Sequence, residues 1–287
     1  MKRIAGIGLI AISAASFGTL AVFGRYAFAN GIDTYTLLFL RFGISAILMG
    51  AVLIFRREAL PRGKTLLQLI GMGAIGYVGQ SFSYLTAIRY ASAGLVALLL
   101  YLYPAFVTVL SSLILHEKIT RIKALALCIA LAGTALTVSP EGGQMAGILL
   151  ALAAAVIYSF YIIVGTHVMQ RVSALQSSTV IFASAGLVYG ALTAINGPHL
   201  PAGPSGWWLI AGIVIIATVI PVVTFLAGLQ RIGPTNASML STLEPVVTVI
   251  LAALLLHDAL KQLTLLGGGL ILIAVILLTR SELSQNT

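Results

Sequence analysis

A single acidic residue, Glu244, lies about half-way along a long apolar stretch and immediately precedes Pro245. A carboxylate at that depth in a membrane costs about 2.5–3.5 kcal/mol on insertion scales, so it normally faces a polar cavity or a partner. Two chemistries suit it: binding an ammonium group, or taking up and releasing a proton. The structural alternatives are a neutral, locally hydrogen-bonded Glu244 and an intramembrane ion pair with Arg41, which also lies inside an apolar stretch. We treat Glu244 as the leading candidate for a functional residue.

A stripe of polar and aromatic residues follows i, i+3, i+4, i+7 spacing along one apolar stretch, which places its members on one helical face. Lipid disfavours a glutamine, so this face is predicted to point into the protein. Tyrosines from two other stretches add aromatic surface. The predicted cavity residues are Tyr77, Gln80, Ser81, Tyr84, Tyr101, Tyr158 and Tyr161. Aromatic walls suit a planar or apolar ligand through stacking and an amine through cation–π attraction. Helix packing and an interfacial belt are the structural alternatives.

Two prolines and two hydroxyl residues complete the set of candidates. Pro104 and Pro245 fall in the middle of apolar stretches, where a proline removes a backbone hydrogen bond and kinks the helix. We expect these kinks to shape a cavity. Thr224 and Ser241 are predicted to line the path, although small hydroxyl residues also serve helix packing in membranes.

Two motif matches fail in their context. Residues 71–76, GMGAIG, match G-x-G-x-x-G but lie inside an apolar stretch, with no acidic residue about 20 positions on, so dinucleotide binding is not indicated. Residues 116–120, HEKIT, begin like a zinc-protease motif but lack its second histidine. We expect no metal and no cofactor.

The elements that must position these residues follow from composition. Hydrophobic residues make up 60% of the 287 residues and charged residues only 8%, against roughly 25% charged in soluble domains. Continuous apolar blocks of about 20 residues predict transmembrane helices rather than strands. The predicted spans are Ile4–Phe23, Thr34–Phe55, Leu66–Leu85, Ser92–Leu115, Ala124–Val138, Ala146–Val164, Leu175–Ile195, Trp207–Leu226, Thr235–Leu256 and Leu263–Leu278.

The net charge of +9 reports topology rather than a nucleic-acid partner. With a cytoplasmic N-terminus, twelve Lys and Arg residues fall on the cytoplasmic side and three on the opposite side. The positive-inside rule therefore predicts that both termini are cytoplasmic.

The sequence repeats itself at an offset of 141 residues. Residues 101–118, YLYPAFVTVLSSLILHEK, align with residues 242–259, TLEPVVTVILAALLLHDA, including the prolines and a His–acid pair that recurs as His257–Asp258. Each half contains five spans, an odd number, so the second half must enter the membrane inverted. The predicted repeats are residues 1–140 and 141–287. Inverted repeats are a common build for secondary transporters, with the substrate at the repeat interface near mid-bilayer.

The pattern resembles the drug/metabolite transporter superfamily in its EamA-type branch. The segments that carry the resemblance are SFGTLAVFGRYA, LLFLRFGISAILM and the two proline-centred blocks ending LHEK and LHDA. The resemblance implies an all-α integral membrane protein of ten helices in two inverted five-helix repeats around a central cavity. Within the branch, the chain is most similar to YddG-like exporters of aromatic amino acids.

We therefore expect a secondary transporter of the bacterial inner membrane that exports small metabolites by alternating access, with amino acids bearing aromatic or other apolar side chains as substrates. A multidrug or organic-cation exporter is the alternative within the superfamily. A membrane-embedded enzyme is weaker, because the sequence lacks a visible cluster of His, Asp or Glu. The expected partners are a small-molecule substrate and the lipid bilayer, with no nucleic acid, and a monomer is the default expectation.

Overall fold

The computed structural model describes residues 2–87, 90–91, 93–137, 144–256 and 262–284, and these fold almost entirely into helices. The first-half helices are α1 (Lys2–Gly18), α2 (Leu20–Ala29), α3 (Thr34–Phe55), α4 (Gly63–Gly71), α5 (Val78–Ala87), α6 (Ala93–Leu100), α7 (Tyr103–Ile114) and α8 (Arg121–Thr137). The second-half helices are α9 (Met145–Val168), α10 (Ala174–Asn196), α11 (Pro204–Val214), α12 (Ile220–Leu240), α13 (Leu243–Leu256) and α14 (Gln262–Ser284). Two π-helical segments, π1 (Met72–Tyr77) and π2 (Ile215–Val219), join α4 to α5 and α11 to α12.

Large apolar side chains cover the outside of this helical bundle. Ile195 is 80% exposed and Leu187 76% exposed, both in the middle or at the end of apolar helices. A water-soluble protein rarely tolerates contiguous apolar surface of this kind. Helices with an apolar surface suit a membrane, because backbone N–H and C=O groups find no water in the hydrocarbon core and must form hydrogen bonds within the helix. The protein is a multi-pass membrane protein.

Seven helical stretches in the described part of the chain are long and apolar enough to cross a membrane. The described residues of all ten predicted spans are helical in large part, and α3 has the bounds predicted for the second span. The third predicted span is divided by π1, the fifth corresponds to the 17-residue α8, and the ninth is shared between α12 and α13. Ten membrane crossings therefore stay a prediction.

The turn between the eighth and ninth predicted spans lies inside the stretch labelled α12. Gly233 there has φ 77° and ψ 172°, a conformation that only glycine adopts readily, and Pro234 follows it. The chain changes direction at this point. The residues His257, Asp258, Arg89 and Lys261, which contribute to the repeat and to the charge pattern, lie outside the described residues.

Helices α3 and α10 form an antiparallel pair that joins the two halves. At one end, His199 Nδ1 lies 3.2 Å from Asp33 Oδ2, and at the other end Ser173 Oγ donates to Glu58 Oε2 at 2.9 Å. These contacts are consistent with spans that cross the membrane in alternating directions. Which end faces the cytoplasm stays a prediction.

The two halves of the chain are interlocked rather than placed side by side. The most extensive helix pairs are α3 with α10, α8 with α14 and α1 with α12, and each joins one half to the other. Glycine permits the close approach: a Cβ added at Gly186 would lie 3.1 Å from the Gly43 nitrogen, and one at Gly133 would lie 2.7 Å from the Gly267 carbonyl oxygen. Small residues at such crossings are the usual basis of helix association in membranes.

The irregular segments occur at equivalent places in both halves. The 141-residue offset carries π1 onto residues 213–218, which overlap π2 at 215–218. The helix also breaks after Leu100, before α7, and again after Leu240, before α13. Pro104 and Pro245 lie in the first turns that follow these breaks. These interruptions gather around the middle of the bundle, where the candidate site lies.

Candidate functional site

Glu244 lies in the first turn of α13, just after the helix break. The N-terminus of a helix carries a partial positive charge, which favours a carboxylate there. The Gly18 end of α1 packs against this turn, since a Cβ at Gly18 would lie 3.0 Å from the Glu244 carbonyl oxygen and Thr248 Oγ1 donates to the Gly18 carbonyl at 3.1 Å. Glu244 is nevertheless partly exposed. Glu244 therefore lies where a helix of the second half meets a helix of the first half, with part of its surface accessible.

Aromatic rings form a continuous row beside this carboxylate. Phe42 contacts Tyr77 edge-on at 5.0 Å between ring centroids, and Tyr77 contacts Tyr161 at 5.8 Å. Tyr161 stacks on Tyr158 at 5.9 Å, and Tyr158 contacts Tyr103 at 4.8 Å. These are the separations at which aromatic pairs attract each other. The row runs from α3 across π1 and α9 to α7, so it crosses the interface between the halves.

The carboxylate and the tyrosines converge on one another. Glu244 interacts electrostatically with the hydroxyls of Tyr77, Tyr84, Tyr101, Tyr103 and Tyr158. Four of these five tyrosines were predicted from the sequence as cavity residues. The structure brings them to one place from π1, α5, the α6–α7 break and α9.

Tyr103 was not among the predicted cavity residues, although it is the repeat equivalent of Glu244. Its hydroxyl donates to the Ser238 carbonyl at 3.4 Å, and its own carbonyl accepts from Ser159 Oγ at 3.2 Å. The side chain is only 2% exposed. Tyr103 thus connects α7 to α9 and α12 through hydrogen bonds next to the site.

The other predicted cavity residues take more local roles. Ser81 Oγ donates to Gln80 Oε1 at 3.3 Å on α5, and both side chains are partly exposed. Thr224 Oγ1 donates to the Ile220 carbonyl at 2.7 Å within its own helix. Ser241 Oγ donates to the Ala237 carbonyl at 2.9 Å and also interacts with the Tyr103 hydroxyl. Only Ser241 of these four is thereby joined to the tyrosine cluster.

Arg41 is held by the π2 segment. Its Nε donates to Thr218 Oγ1 at 2.7 Å and its Nη2 to the Ala217 carbonyl at 3.2 Å, while the guanidinium lies 5.0 Å from the Phe42 ring centroid. Thr218 Oγ1 in turn donates to the Ile213 carbonyl at 2.8 Å, five residues back. A π-segment shifts the helical hydrogen-bond pattern, which makes a backbone carbonyl available to an outside donor.

Glu244 and Arg41 interact through space, but neither of the arginine's hydrogen bonds to π2 involves a carboxylate. A direct ion pair between them stays a prediction. In the described part of the chain, no group of three or more His, Cys, Asp or Glu side chains is arranged to hold a metal.

Polar contacts close the two ends of the protein. At one end Glu117 accepts from Thr235 Oγ1 at 2.8 Å and pairs with Lys123 at 3.1 Å. At the other end Asp33 caps α3. Burial raises the pKa of Asp33, but hydrogen bonds from Thr36 and Tyr35 and the charge of His199 outweigh it and lower the pKa below its usual range. Both contact groups join the two halves of the chain.

Comparison with known families decides the class of protein. The sequence model of the EamA-like transporter family matches the chain twice, over residues 4–139 and 145–280. The chain belongs to the EamA-like transporter family. Its two matches are offset by 141 residues, as 145 − 4 gives, and together they cover nearly the whole of this EamA-like transporter.

Relatives with the same class of name occur in distant organisms. An uncharacterized transporter of Archaeoglobus fulgidus is 29% identical over 96% of each chain. The uncharacterized transporter YcbK of Bacillus subtilis is 23% identical over 93% of this chain and 90% of its own. The uncharacterized inner membrane transporter YedA of Escherichia coli is 25% identical over 94% of this chain and 91% of its own. A solved crystal structure matches with a TM-score of 0.85 over 99% of this chain at 21% identity, which shows a shared fold. This EamA-like transporter is a membrane transporter.

Proposed function

We propose that this transporter exports small amphipathic metabolites by alternating access, and that amino acids with aromatic or other apolar side chains are its substrates. The observation that supports the proposal is the convergence of one carboxylate, Glu244, with a row of tyrosine rings at the interface of the halves. An aromatic wall accommodates the side chain of such a substrate, and the carboxylate balances its ammonium group.

The position of the site fits a transporter that opens to either side in turn. Substrate sites in inverted-repeat transporters lie near mid-bilayer at discontinuous helices, and the repeats then move about the fixed site. Here Glu244 lies at the break before α13, and Tyr101 lies at the corresponding break before α7. Polar contacts that join the halves lie at both ends, Glu117 with Thr235 at one and Asp33 with His199 at the other. Alternating access requires at least one of these closures to open.

An organic cation is the second candidate substrate, and the same carboxylate favours it. A lone cation needs only the ring faces and Glu244, whereas an amino acid also brings a carboxylate that requires a partner. The two classes are separated by presenting ligands that share an aromatic side chain and an ammonium group but differ in the carboxylate.

The test is efflux from proteoliposomes of purified protein loaded with radiolabelled phenylalanine, tryptophan, leucine, lysine or the dye cation ethidium. We expect saturable movement of the aromatic and apolar amino acids. Glu244→Gln should reduce that movement at least tenfold, because removing a charged hydrogen-bond partner typically costs about 1.5–3 kcal/mol. Glu58→Gln is the matched control, since Glu58 lies at the end of α3 and the amide keeps an oxygen for Ser173. Movement of ethidium alone would replace the amino-acid assignment with the cation assignment, and equal loss in both variants would remove Glu244 from the site.

A further inference from the structure

A second polar cluster lies beside the tyrosine row, around Arg41 and Tyr189. The ring of Tyr189 stacks on Phe42 at 5.9 Å, and the guanidinium of Arg41 lies over the same Phe42 ring at 5.0 Å. Tyr77 contacts that ring edge-on. Phe42 therefore holds one cationic side chain and two phenol rings together, at the end of the row that lies farthest from Tyr103.

The hydroxyl of Tyr189 has no hydrogen-bond partner, although the side chain is only 1% exposed. Ser81 lies close enough to influence the Tyr189 hydroxyl, but the two hydroxyls do not reach the geometry of a hydrogen bond. Leaving a buried hydroxyl unpaired costs about 1–3 kcal/mol. A cost of that size in a buried position is commonly a sign of a ligand or a catalytic role.

Arg41 has the donors for an anion in the same place. A guanidinium carries five N–H donors in a planar fork, and π2 uses Nε and one bond from Nη2. The guanidinium also interacts with the hydroxyls of Tyr77 and Tyr189 and, through space, with Glu244. Arg41 is only 5% exposed, and a buried arginine of a membrane protein normally pairs with an anion or lines a polar path.

The two charges of the interior come from different helices and are not repeat equivalents. Glu244 belongs to α13 and corresponds to Tyr103, whereas Arg41 belongs to α3 and corresponds to Phe182. The two charges interact with each other through space, and each also interacts with the hydroxyl of Tyr77. A ligand that carries both a positive and a negative charge can use both groups, whereas a simple cation uses only Glu244.

We propose that Arg41 and Tyr189 form a carboxylate-binding subsite, so that the transporter recognises the α-carboxylate of a zwitterionic amino acid while Glu244 binds its ammonium group. The inference rests on the proposed amino-acid transport and names the group that makes it selective. Arg41 supplies the charge-assisted hydrogen bonds, which an arginine fork makes well to a planar carboxylate, and the Tyr189 hydroxyl donates a further one. π2 fixes the direction of the fork through Thr218 and Ala217.

The test compares three probes in proteoliposomes: L-phenylalanine, L-phenylalaninamide and 2-phenylethylamine. Assayed at about pH 6, all three carry the aromatic ring and a protonated amino group, and only phenylalanine carries a carboxylate. The wild type should prefer phenylalanine by at least tenfold in kcat/KM, the factor that charge-assisted hydrogen bonds typically give. Arg41→Lys keeps the charge but loses the fork, and it should remove most of that preference.

Tyr189→Phe separates a binding role from a structural one. Removing an unpartnered buried hydroxyl should leave the melting temperature unchanged or raise it, yet the preference for phenylalanine over its amide should fall about three- to tenfold. Tyr84→Phe is the matched control, because Tyr84 interacts with Glu244 and is expected to affect acid and amide alike.

Transport of phenylalanine and its amide at equal rates by the wild type would overturn the subsite while leaving amino-acid transport in place. An unchanged preference in both Arg41→Lys and Tyr189→Phe would overturn it as well. No movement of any of the probes would instead refute the proposed substrate class.

Discussion

Replacing Gly73 with alanine should separate α10 from π1, and the size of the effect follows from the geometry. A Cβ at Gly73 would lie 2.0 Å from Ser184 Oγ, 2.5 Å from the Ile181 carbonyl oxygen and 3.0 Å from Ile181 Cα. The serine side chain can rotate away, but the Ile181 backbone belongs to α10 and cannot. Restoring an ordinary contact of about 3.5 Å requires the helices to move apart by roughly 1 Å. Such overpacking typically costs about 1–3 kcal/mol.

Gly71→Ala provides a matched comparison two residues away. Nothing lies within 4 Å of the Cβ position at Gly71, and its backbone is helical. Alanine should therefore stabilise this site by about 0.5–1 kcal/mol, because glycine loses more conformational freedom on folding. The two variants should differ by about 1.5–4 kcal/mol, or roughly 3–16 °C in apparent melting temperature by the scaling of large soluble domains.

The assay is thermal unfolding of the two purified variants in one detergent at one scan rate, since membrane proteins often unfold irreversibly. Transport should fall in Gly73→Ala as well, because π1 ends at Tyr77. Gly79→Ala, whose Cβ would lie 3.7 Å from Ile157, should be close to neutral. If Gly73→Ala melted at or above Gly71→Ala, the close approach of π1 to α10 would be refuted.

Three further substitutions test the contacts around and beyond the site. Thr218→Val removes the acceptor of the Arg41 Nε hydrogen bond. It should lower the free energy of unfolding by about 1–3 kcal/mol, measured by thermal unfolding, and it should also reduce selectivity for carboxylates, measured by probe competition. Glu117→Gln weakens the contact with Thr235 at one end of the protein. A cysteine introduced at that end should therefore react faster with a membrane-impermeant thiol reagent. Asp33 has a pKa below 3.8, so its stabilising contribution is present above about pH 4 and is lost as the pH falls through the pKa of the folded protein. The difference in melting temperature between wild type and Asp33→Asn should accordingly shrink as the pH falls below about 4.

Conservative partners serve as controls for these substitutions. Thr218→Ser keeps the hydroxyl and should behave as wild type. Asp33→Glu keeps the charge but lengthens the cap, so it should retain the pH dependence with lower stability. A melting-temperature difference for Asp33→Asn that grew as the pH fell below about 4 would contradict a lowered pKa of Asp33 in the folded protein.

Much of the helical framework was predictable because lipid imposes a simple rule on composition. The second predicted span, Thr34–Phe55, has the bounds of α3. The third span was harder to recognise, because it contains the polar and aromatic residues Tyr77, Gln80, Ser81 and Tyr84. It is not among the seven helical stretches of the described residues that are long and apolar enough to cross a membrane. The residues that lower its hydropathy are the ones that build the polar interior, so the function of the segment obscures its membrane character.

The π-segments could not be predicted from the repeat. A π-segment shifts the helix by one residue, which ordinarily appears as an insertion when homologous segments are aligned. Both halves carry the shift at overlapping positions, so the 141-residue offset runs through it without a gap. The contacts of Arg41 with Thr218 and Ala217 depend on that shift, so the sequence did not indicate them. The ion pair of Arg41 with Glu244 stays a prediction.

The tyrosine stripe was predicted because its spacing applies where the helix is regular. Tyr77 is the last residue of π1, and Tyr84 lies on regular α5. Tyr189 and Phe42 gave no comparable signal: each lies on an apolar helix among other apolar residues, and only the crossing of α3 with α10 brings their rings together. Tyr103 could have been predicted, because the 141-residue offset makes it the equivalent of Glu244 in the first half of the chain.

The interlocked halves have a consequence for how the protein is made. The partners of α1, α3 and α8 are α12, α10 and α14, all of which are synthesised later. At translation rates of about 5–20 residues per second, the second half takes roughly 7–30 s to emerge. During that interval the first half must remain in the bilayer with its interhelical faces, including buried Arg41, covered only by lipid, the insertion machinery or its own neighbours. Biogenesis, rather than the finished fold, is therefore the stage at which a charge in α3 is least protected.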